Sequence, residues 1–258
     1  MADKVILVTK SKTDAEKHFS SLLAAGFKII YFPTILITPL PHSQEFIRSL
    51  ENFTEFDWLI FTSANAVEVF NGIAEKKNIN LDKISIACVG SETAERCRRK
   101  NIKVDLVPDE FSAAGLVKEF AKKNLIGKKV FIPCSSLSRS ELRLQLAELG
   151  AEVTSAPIYD AVVNDETNLF SEIAAIKKRK PDVFVFTSPS SFNNFLALMN
   201  IETPAKYFEH LVVCSIGRTT ESAITASNVN VNIVPEHFSL SGVEEAIKKF
   251  FNTEKNFA

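Results

Sequence analysis

The sequence has little that would mark a metalloprotein, a nucleotide-binding protein or a disulfide-stabilised protein. It contains no GxGxxG or P-loop pattern, no GxSxG elbow, and no HExxH or other metal motif. Its four cysteines form no CxxC pair and none clusters with a histidine, which argues against a zinc site and against a disulfide framework. We therefore expect a protein that uses no metal and no cofactor.

Excess charge and long apolar runs are also missing. The formal net charge is −1, so the chain has no basic field with which to hold nucleic acid or an acidic membrane. No segment approaches the roughly 20 apolar residues of a membrane span, and the N-terminal apolar stretch is too short for a signal peptide. We expect a reduced, cytoplasmic protein in which any polyanionic ligand is held by local devices.

What the sequence does contain is a tandem repeat. Phe61-Thr62-Ser63 recurs 125 residues later as Phe186-Thr187-Ser188. Several short matches follow the same order at nearly the same offset. They are Gly90-x-x-Thr93 with Gly217-x-x-Thr220, Val107-Pro108-x-x-Phe111-Ser112-x-x-Gly115 with Val234-Pro235-x-x-Phe238-Ser239-x-x-Gly242, and Gly26 and Pro33 with Gly150 and Pro157. The chain therefore consists of two copies of a repeat of about 125 residues.

Each repeat alternates apolar runs with segments of helical periodicity. In the first repeat we predict strands at Val5–Thr9, Lys28–Phe32, Trp58–Thr62, Ser85–Val89 and Val104–Val107, with helices at Asp14–Ala25, Asn65–Ala74, Glu92–Lys100 and Ala113–Lys122. In the second we predict strands at Val130–Pro133, Glu152–Ser155, Val183–Thr187, Leu211–Ile216 and Val231–Val234, with a helix at Glu141–Leu149. This alternation favours an α/β fold with doubly wound parallel sheets.

Two segments that follow the matched prolines, Ile35–Pro39 and Ile158–Val163, occupy equivalent positions in the repeats. A proline at that point favours an extended crossing segment over a helix. Periodicity alone leaves two arrangements open, since each repeat could fold by itself or the two could exchange parts.

Small polar residues concentrate where the predicted strands end and helices begin, which is where parallel sheets bind ligands. The loops concerned are Thr9-Lys10-Ser11, Thr62-Ser63-Ala64-Asn65, Gly90-Ser91-Glu92-Thr93, Phe111-Ser112, Cys134-Ser135-Ser136, Thr187-Ser188-Pro189-Ser190, Gly217-Arg218-Thr219-Thr220 and Phe238-Ser239. The first turn of a helix has unpaired N–H groups and the positive end of the dipole, so it can hold an anion. The alternative is that Ser63, Ser112, Ser188 and Ser239 only cap helices. Eight such loops in two matched sets suit a large ligand with many carboxylates.

The succession ILVTK, FTSANAV, VGSETA, VPDEFSAAGLV, SELRLQLAELGAEV, PIYDAV, FTSPSSF, IGRTT and VPEHFSLSGV resembles the uroporphyrinogen-III synthase family over nearly the whole chain. The resemblance implies two flavodoxin-like α/β domains joined by a two-stranded extended linker, with the substrate in the cleft between them. One domain would comprise residues 1–36 and 165–258 and the other residues 37–164, with linker strands near 35–39 and 158–164. Each repeat would thus donate its first two strands to the other domain.

The reaction that the resemblance implies is a hydro-lyase cyclisation in haem biosynthesis. Hydroxymethylbilane loses water to leave an electrophilic azafulvene, the far pyrrole attacks through its substituted carbon, and a spiro intermediate recloses as uroporphyrinogen III with ring D inverted. The substrate also closes spontaneously to the unturned isomer, so the enzyme must hold eight carboxylates in one geometry. The resemblance implies a monomer without cofactor, and it leaves room for a transient contact with hydroxymethylbilane synthase.

The family's acid for the departing hydroxyl matches Tyr159 in PIYDAV, since a neutral phenol can donate a hydrogen bond at neutral pH. The alternative is that Tyr159 only packs an interdomain strand. The expected substrate contacts are Thr9, Lys10, Ser63, Asn65, Gly90, Thr93, Ser112, Ser135, Arg139, Ser188, Ser190, Gly217, Thr219, Thr220 and Ser239.

The chain departs from the family pattern at two loops. Lys10 stands where an arginine is usual, which keeps the charge but loses the bidentate fork. Cys134-Ser135 replaces an arginine–glycine pair, although Arg139 matches a second arginine. Two other interpretations stay open: a non-catalytic two-domain protein that binds a polycarboxylate in its cleft, and an enzyme of similar shape acting on nucleotides, which no glycine-rich phosphate loop supports.

Overall fold

A computed structural model describes residues 4–40 and 43–255, with the backbone alone for the last three. Residues 1–3, where the segment assessed for a signal peptide begins, lie outside this part, as do residues 41–42 and 256–258. In the described part the chain forms nine strands: β1 (Val5–Val8), β2 (Lys28–Tyr31), β3 (Ile35–Pro39), β4 (Trp58–Phe61), β5 (Ser85–Cys88), β6 (Lys129–Ser135), β7 (Glu152–Val163), β8 (Val183–Phe186) and β9 (Val212–Ser215).

Helices connect almost every pair of successive strands. They are α1 (Lys12–Ala15), α2 (Ser20–Ala24), α3 (Gln44–Glu51), α4 (Ala64–Lys77), α5 (Ser91–Arg99), α6 (Ala113–Ala121), α7 (Glu141–Glu148), α8 (Phe170–Lys178), α9 (Pro189–Leu198), α10 (Pro204–Tyr207), α11 (Arg218–Thr225) and α12 (Leu240–Lys255), with 3₁₀ turns at Glu16–Phe19 and Phe53–Glu55. The connection between β2 and β3 has no helix and contains Pro33.

The strands form two sheets, one in the order β2-β1-β8-β9 and the other in the order β3-β7-β6-β4-β5. Every recorded pairing among β1, β2, β8 and β9, and among β4, β5, β6 and β7, is parallel. Each sheet therefore combines the first two strands of one repeat with later strands of the other, so the repeats exchange strands. The parallel α/β architecture expected from the sequence is confirmed.

The two segments predicted to be extended are strands. Ile35–Pro39 is β3, and Ile158–Val163 is the second half of β7, a strand of 12 residues. They are neighbours in the five-stranded sheet, and beyond β3 the Leu40 N–H donates to the carbonyl oxygen of Ile158 at 3.0 Å. A proline precedes each segment and favours an extended backbone in the residue before it.

The chain divides into two compact units, unit 1 (Met1–Leu36 with Val163–Ala258) and unit 2 (Ile37–Val162). Both sheets are buried by helices, and phenylalanine fills much of the space. In unit 1, Phe184, Phe186 and Phe195 pack edge to face or stacked with centroids 5.6 to 6.4 Å apart. In unit 2, the ring of Phe131 lies 5.9 Å from that of Phe70 and 6.2 Å from that of Phe46. All of these rings are fully buried.

The four cysteines are free and buried. Cys88 Sγ lies 3.6 Å from Cys97 Sγ in the interior of unit 2. Burial raises the pKa of the Cys214 thiol, and the contact with Cys97, together with burial, raises the pKa of the Cys88 thiol. Both thiols are therefore held protonated rather than as reactive thiolates.

Two predicted strands, Val104–Val107 and Val231–Val234, are wrong. Each contributes a single parallel bridge at the sheet edge, Leu106 with Ala87 and Ile233 with Cys214. The ladder of backbone hydrogen bonds stops after one bridge for the same reason in both repeats: a side chain replaces the backbone carbonyl as the hydrogen-bond acceptor. The N–H of Ile86 donates to the carboxylate of Asp105 at 2.9 Å, and the N–H of Val213 donates to the side-chain oxygen of Asn232 at 2.8 Å.

The helix predicted over Asp14–Ala25 is broken by the 3₁₀ turn Glu16–Phe19. A side chain from α12 explains the break, because one carboxylate oxygen of Glu244 accepts the N–H groups of Ser21 at 2.9 Å and Leu22 at 3.2 Å. The contact caps α2 as a separate helix.

Candidate functional site

The expected site residues gather at the carboxyl edges of the two sheets. Because neighbouring parallel strands end on the same side, the loops after β4, β5 and β6 share one edge in unit 2. The loops after β1, β8 and β9 share the corresponding edge in unit 1.

In unit 2 the structure brings two of the predicted residues into contact. Tyr159 lies in β7 opposite Ser135 of β6, and its side chain is only 5% exposed. Its hydroxyl lies 2.8 Å from Ser63 Oγ. Ser63 is the N-cap of α4, and its Oγ accepts the N–H of Ala66 at 3.1 Å. A serine that accepts an N–H can still donate its own proton to the phenol oxygen, which leaves the phenol proton free for a ligand.

Burial raises the pKa of Tyr159 above its usual value of 10.0, and the hydrogen bond with Ser63 opposes this in part. The phenol therefore stays neutral at neutral pH and can act as a hydrogen-bond donor. Any negative charge that develops on its oxygen is met by Ser63 and by the positive end of α4.

In unit 1 the equivalent loops form a hydroxyl network at the ends of β1 and β8. Thr9 Oγ1 lies 3.1 Å from Ser191 Oγ, and both accept the N–H of Thr187, at 3.2 and 3.1 Å. Ser188 caps α9 in a capping box with Ser191 and lies 3.0 Å from Ser190 Oγ. Thr9 is 3% exposed and its hydroxyl is used inside the unit, where it ties the two strand ends together; its contact with substrate stays a prediction.

The two G-x-x-T loops begin helices in a different way from the serine loops. Gly90 precedes α5 and Gly217 precedes α11, and neither helix has a side-chain cap. The first-turn N–H groups of these helices are thus left to an incoming acceptor. Thr93 and Thr220 lie in the same first turns, nearly buried at 6% and 3% exposure. Thr219 is exposed beside Thr220.

The four loop serines do cap helices, as the alternative predicted. In addition to Ser63 and Ser188, Ser112 Oγ accepts the N–H of Gly115 at 2.9 Å and Ser239 Oγ accepts that of Gly242 at 3.1 Å. Capping uses an oxygen lone pair, so the hydroxyl proton can still be donated, and Ser112 donates its own to the carboxylate of Glu110 at 3.1 Å.

The remaining predicted residues lie on the same edges. Lys10 is half-buried after β1, and Arg139 is exposed in the loop after β6. Ser135 Oγ accepts the N–H of Leu137 at 3.0 Å, and Asn65 is half-buried in the first turn of α4. The two cationic side chains are therefore accessible to a carboxylate ligand.

Sequence reasoning missed Ser191, which is 3% exposed and holds the unit 1 network together. The signal was available, because Ser188-x-x-Ser191 places two hydroxyls at capping-box spacing. Across residues 4–40 and 43–255, no three His, Cys, Asp or Glu side chains are grouped so as to hold a metal ion. Nor does this part of the chain include a helix long and apolar enough to cross a membrane.

Comparison with known proteins gives a consistent result. A family model described as uroporphyrinogen-III synthase HemD matches residues 17–244. The uroporphyrinogen-III synthase of Synechococcus elongatus is 27% identical over 254 residues, covering 96% of this chain and 95% of the relative. That of Chlorobaculum parvum is 25% identical over 250 residues, covering 95% and 98%.

A solved structure has the same fold. The crystal structure of uroporphyrinogen-III synthetase from Helicobacter pylori 26695 matches with a TM-score of 0.63 at 21% identity, covering 96% of this chain and all of that one. Together with the match of the family model over most of the chain, the curated relatives confirm the expected lyase of porphyrin biosynthesis. The chain belongs to the uroporphyrinogen-III synthase HemD family.

Proposed function

We propose that this chain dehydrates and cyclises hydroxymethylbilane to uroporphyrinogen III with inversion of ring D. The C–O bond of the hydroxymethyl group breaks, the hydroxyl takes a proton and leaves as water, and the pyrrole electrons stabilise the resulting azafulvene. The far pyrrole then attacks through its substituted carbon, and the spiro intermediate fragments and recloses with that ring inverted.

The observation that carries this proposal is the contact of 2.8 Å between Tyr159 and Ser63. A buried neutral phenol supported by a serine at a helix start is suited to donate a hydrogen bond to a departing hydroxyl. Ser63 and the positive end of α4 offset the charge left on the phenol oxygen as the proton moves. Tyr159 is the catalytic acid in this scheme, and Ser63 orients it.

The substrate's carboxylates meet the loops at the carboxyl edges of both sheets. The uncapped starts of α5 and α11, at Gly90 and Gly217, offer backbone N–H groups. Lys10 and Arg139 offer cationic side chains. The other contacts proposed are Thr9, Asn65, Thr93, Ser112, Ser135, Ser188, Ser190, Thr219, Thr220 and Ser239. Holding many carboxylates at fixed points restricts the chain to one mode of closure.

The chemistry needs no cofactor, because ionisation and ring attack use only electrons of the substrate. We further propose that the protein acts in the cytoplasm as a monomer and makes transient contact with hydroxymethylbilane synthase.

The test is a coupled assay in which hydroxymethylbilane is supplied, the products are oxidised, and the porphyrin isomers are separated by chromatography. The expected result is mainly isomer III with the protein and isomer I without it. Isomer I alone at every concentration of folded protein would contradict the proposal, and saturable binding of the substrate under the same conditions would then identify a non-catalytic polycarboxylate binder.

A further inference from the structure

Two phenylalanines stand out because they are exposed where a phenylalanine would normally be buried. Phe111 in unit 2 and Phe238 in unit 1 are each 61% exposed. They occupy equivalent positions 127 residues apart in the two repeats. Exposure of the same apolar side chain in both copies indicates a shared use rather than an accident of packing.

A tight turn directs each ring outward. The N–H of Ser112 donates to the carbonyl oxygen of Glu110 at 2.7 Å, and that of Ser239 donates to His237 at 2.8 Å. A hydrogen bond between residues i and i+2 closes a three-residue γ-turn, and a phenylalanine is the central residue of both turns. The serine that closes each turn also caps the following helix.

Glycines hold both turns in place. A Cβ on Gly115 would lie 2.1 Å from the carbonyl oxygen of Glu110, and one on Gly242 would lie 2.1 Å from that of His237. These are the carbonyl oxygens that close the γ-turns. Both glycines lie in the first turn of a helix, where glycine is less favourable than alanine. Each repeat thus gives up helix stability at the position that fixes the exposed phenylalanine.

Each phenylalanine lies beside the uncapped start of a helix. A Cβ placed on Gly90 would touch the Cβ of Phe111 at 3.7 Å, and one placed on Gly217 would lie 3.2 Å from the ring of Phe238. These glycines precede α5 and α11, which have no side-chain cap. An exposed apolar side chain thus adjoins N–H groups that favour an anion in each unit.

We propose, resting on the function proposed above, that Phe111 and Phe238 each support the face of one pyrrole ring of the linear tetrapyrrole. A carboxylate of the same ring meets the adjoining helix start. A pyrrole carrying acetate and propionate groups combines an aromatic face with nearby anions, which matches the paired features in each unit. By fixing ring planes, the two side chains favour closure with inversion over spontaneous closure.

The test compares Phe111→Ala and Phe238→Ala with Phe170→Ala. Phe170 is a matched control because it is a phenylalanine that is 75% exposed at the start of α8 and lies outside the two γ-turns. We expect each of the first two variants to raise KM for hydroxymethylbilane about threefold to tenfold, as for loss of one aromatic contact, and to release more isomer I. Phe111→Tyr, which keeps the ring, should retain the wild-type KM, and Phe170→Ala should change neither quantity.

A second readout does not depend on turnover. Saturation-transfer NMR with a monopyrrole bearing one acetate and one propionate should show contact of the protein with the ring protons, and Phe111→Ala combined with Phe238→Ala should abolish it. The inference would be overturned if the Phe111 and Phe238 variants matched Phe170→Ala in KM, in isomer ratio and in NMR contact. Failure of the proposed function is distinct from this, because it appears as absence of isomer III with the wild-type protein. Thermal unfolding of each variant excludes loss of folding as the cause, and Phe111→Leu, with similar bulk but no aromatic face, serves if an alanine variant unfolds.

Discussion

Replacement of Tyr159 by phenylalanine separates a catalytic phenol from one that only packs a strand. The substitution removes the hydroxyl and leaves the ring in its 5%-exposed position on β7. Ser63 loses its contact of 2.8 Å but keeps the N–H of Ala66, so α4 remains capped. The perturbation is therefore confined to one hydrogen bond and one proton.

A packing role for Tyr159 predicts a small loss of stability, whereas a catalytic role predicts a large loss of rate. Loss of a single neutral hydrogen bond costs about 1 kcal/mol of unfolding free energy. General acid catalysis typically contributes about 10²- to 10⁴-fold in rate. Because the hydroxyl leaves from a carbon that ionises easily, we expect the low end of that range, a fall in kcat of about 100-fold with KM little changed.

Steady-state kinetics of isomer III formation, with urea unfolding in parallel, measure both quantities. Ser63→Ala is the control, because it removes the partner and the α4 cap and should cost about 1 kcal/mol of stability while leaving the phenol. A kcat for Tyr159→Phe within about threefold of wild type would refute the reasoning. Equal losses of activity in the two variants, with no further loss in the double variant, would show that the two hydroxyls act as one unit.

Three further predictions concern stability. Gly115→Ala should lower the unfolding free energy by about 1–3 kcal/mol, because the added Cβ clashes with the carbonyl oxygen of Glu110. Gly72→Ala should raise the unfolding free energy by up to about 1 kcal/mol, since nothing lies within 4 Å of its added Cβ. Equal effects of the two variants in urea unfolding would contradict the contact at Gly115. Phe131→Ala should cost about 3–5 kcal/mol in urea unfolding because the ring is fully buried, and a loss below about 1 would contradict its packing. Tyr207 has a pKa raised by burial from 10.0 to about 12 and, among the described residues, no partner for its hydroxyl. Since the folded state favours the neutral phenol, the stability of the wild-type protein should fall as pH rises from about 10 to 12. Tyr207→Phe should be at least as stable as the wild type at pH 7 and should lose less stability between pH 10 and 12. Identical pH profiles of the two proteins in thermal unfolding would contradict this prediction.

Much of the fold could be predicted because local signals agreed with it. The tandem repeat predicted the number of strands in each half of the chain nearly correctly, and the prolines before Ile35–Pro39 and Ile158–Val163 favoured extended segments there. The edge segments failed for a reason that no pattern contains. Asp105 and Asn232 look like ordinary polar residues in a strand, yet their side chains take the hydrogen bonds that a strand would accept through its backbone.

The site was harder to predict because its contacts join distant parts of the chain. Tyr159 and Ser63 are 96 residues apart, and Thr9 and Ser191 are 182 apart. Both pairs meet only because strands of one repeat lie beside strands of the other. Phe111 was not predicted as a site residue for a different reason, since an apolar residue beside a helix start is ordinarily expected to be buried, and its exposure is visible only in the folded chain.

Comparison of the repeats separates the residues proposed to bind substrate from the residue proposed as the acid. The capping serines, the glycines before uncapped helices and the phenylalanine turns all occur twice, as expected for features that hold similar rings and similar carboxylates. The tyrosine occurs once. Aligning Pro157 with Pro33 places Ile35 at the position equivalent to Tyr159, and Ser188, the counterpart of Ser63, lies against Ser190 instead of a phenol. A linear tetrapyrrole has four similar rings but a single hydroxyl to lose, so a duplicated frame with one acid matches the substrate. Phenylalanine at position 159 should therefore lower kcat, and alanine at position 111 or 238 should raise KM.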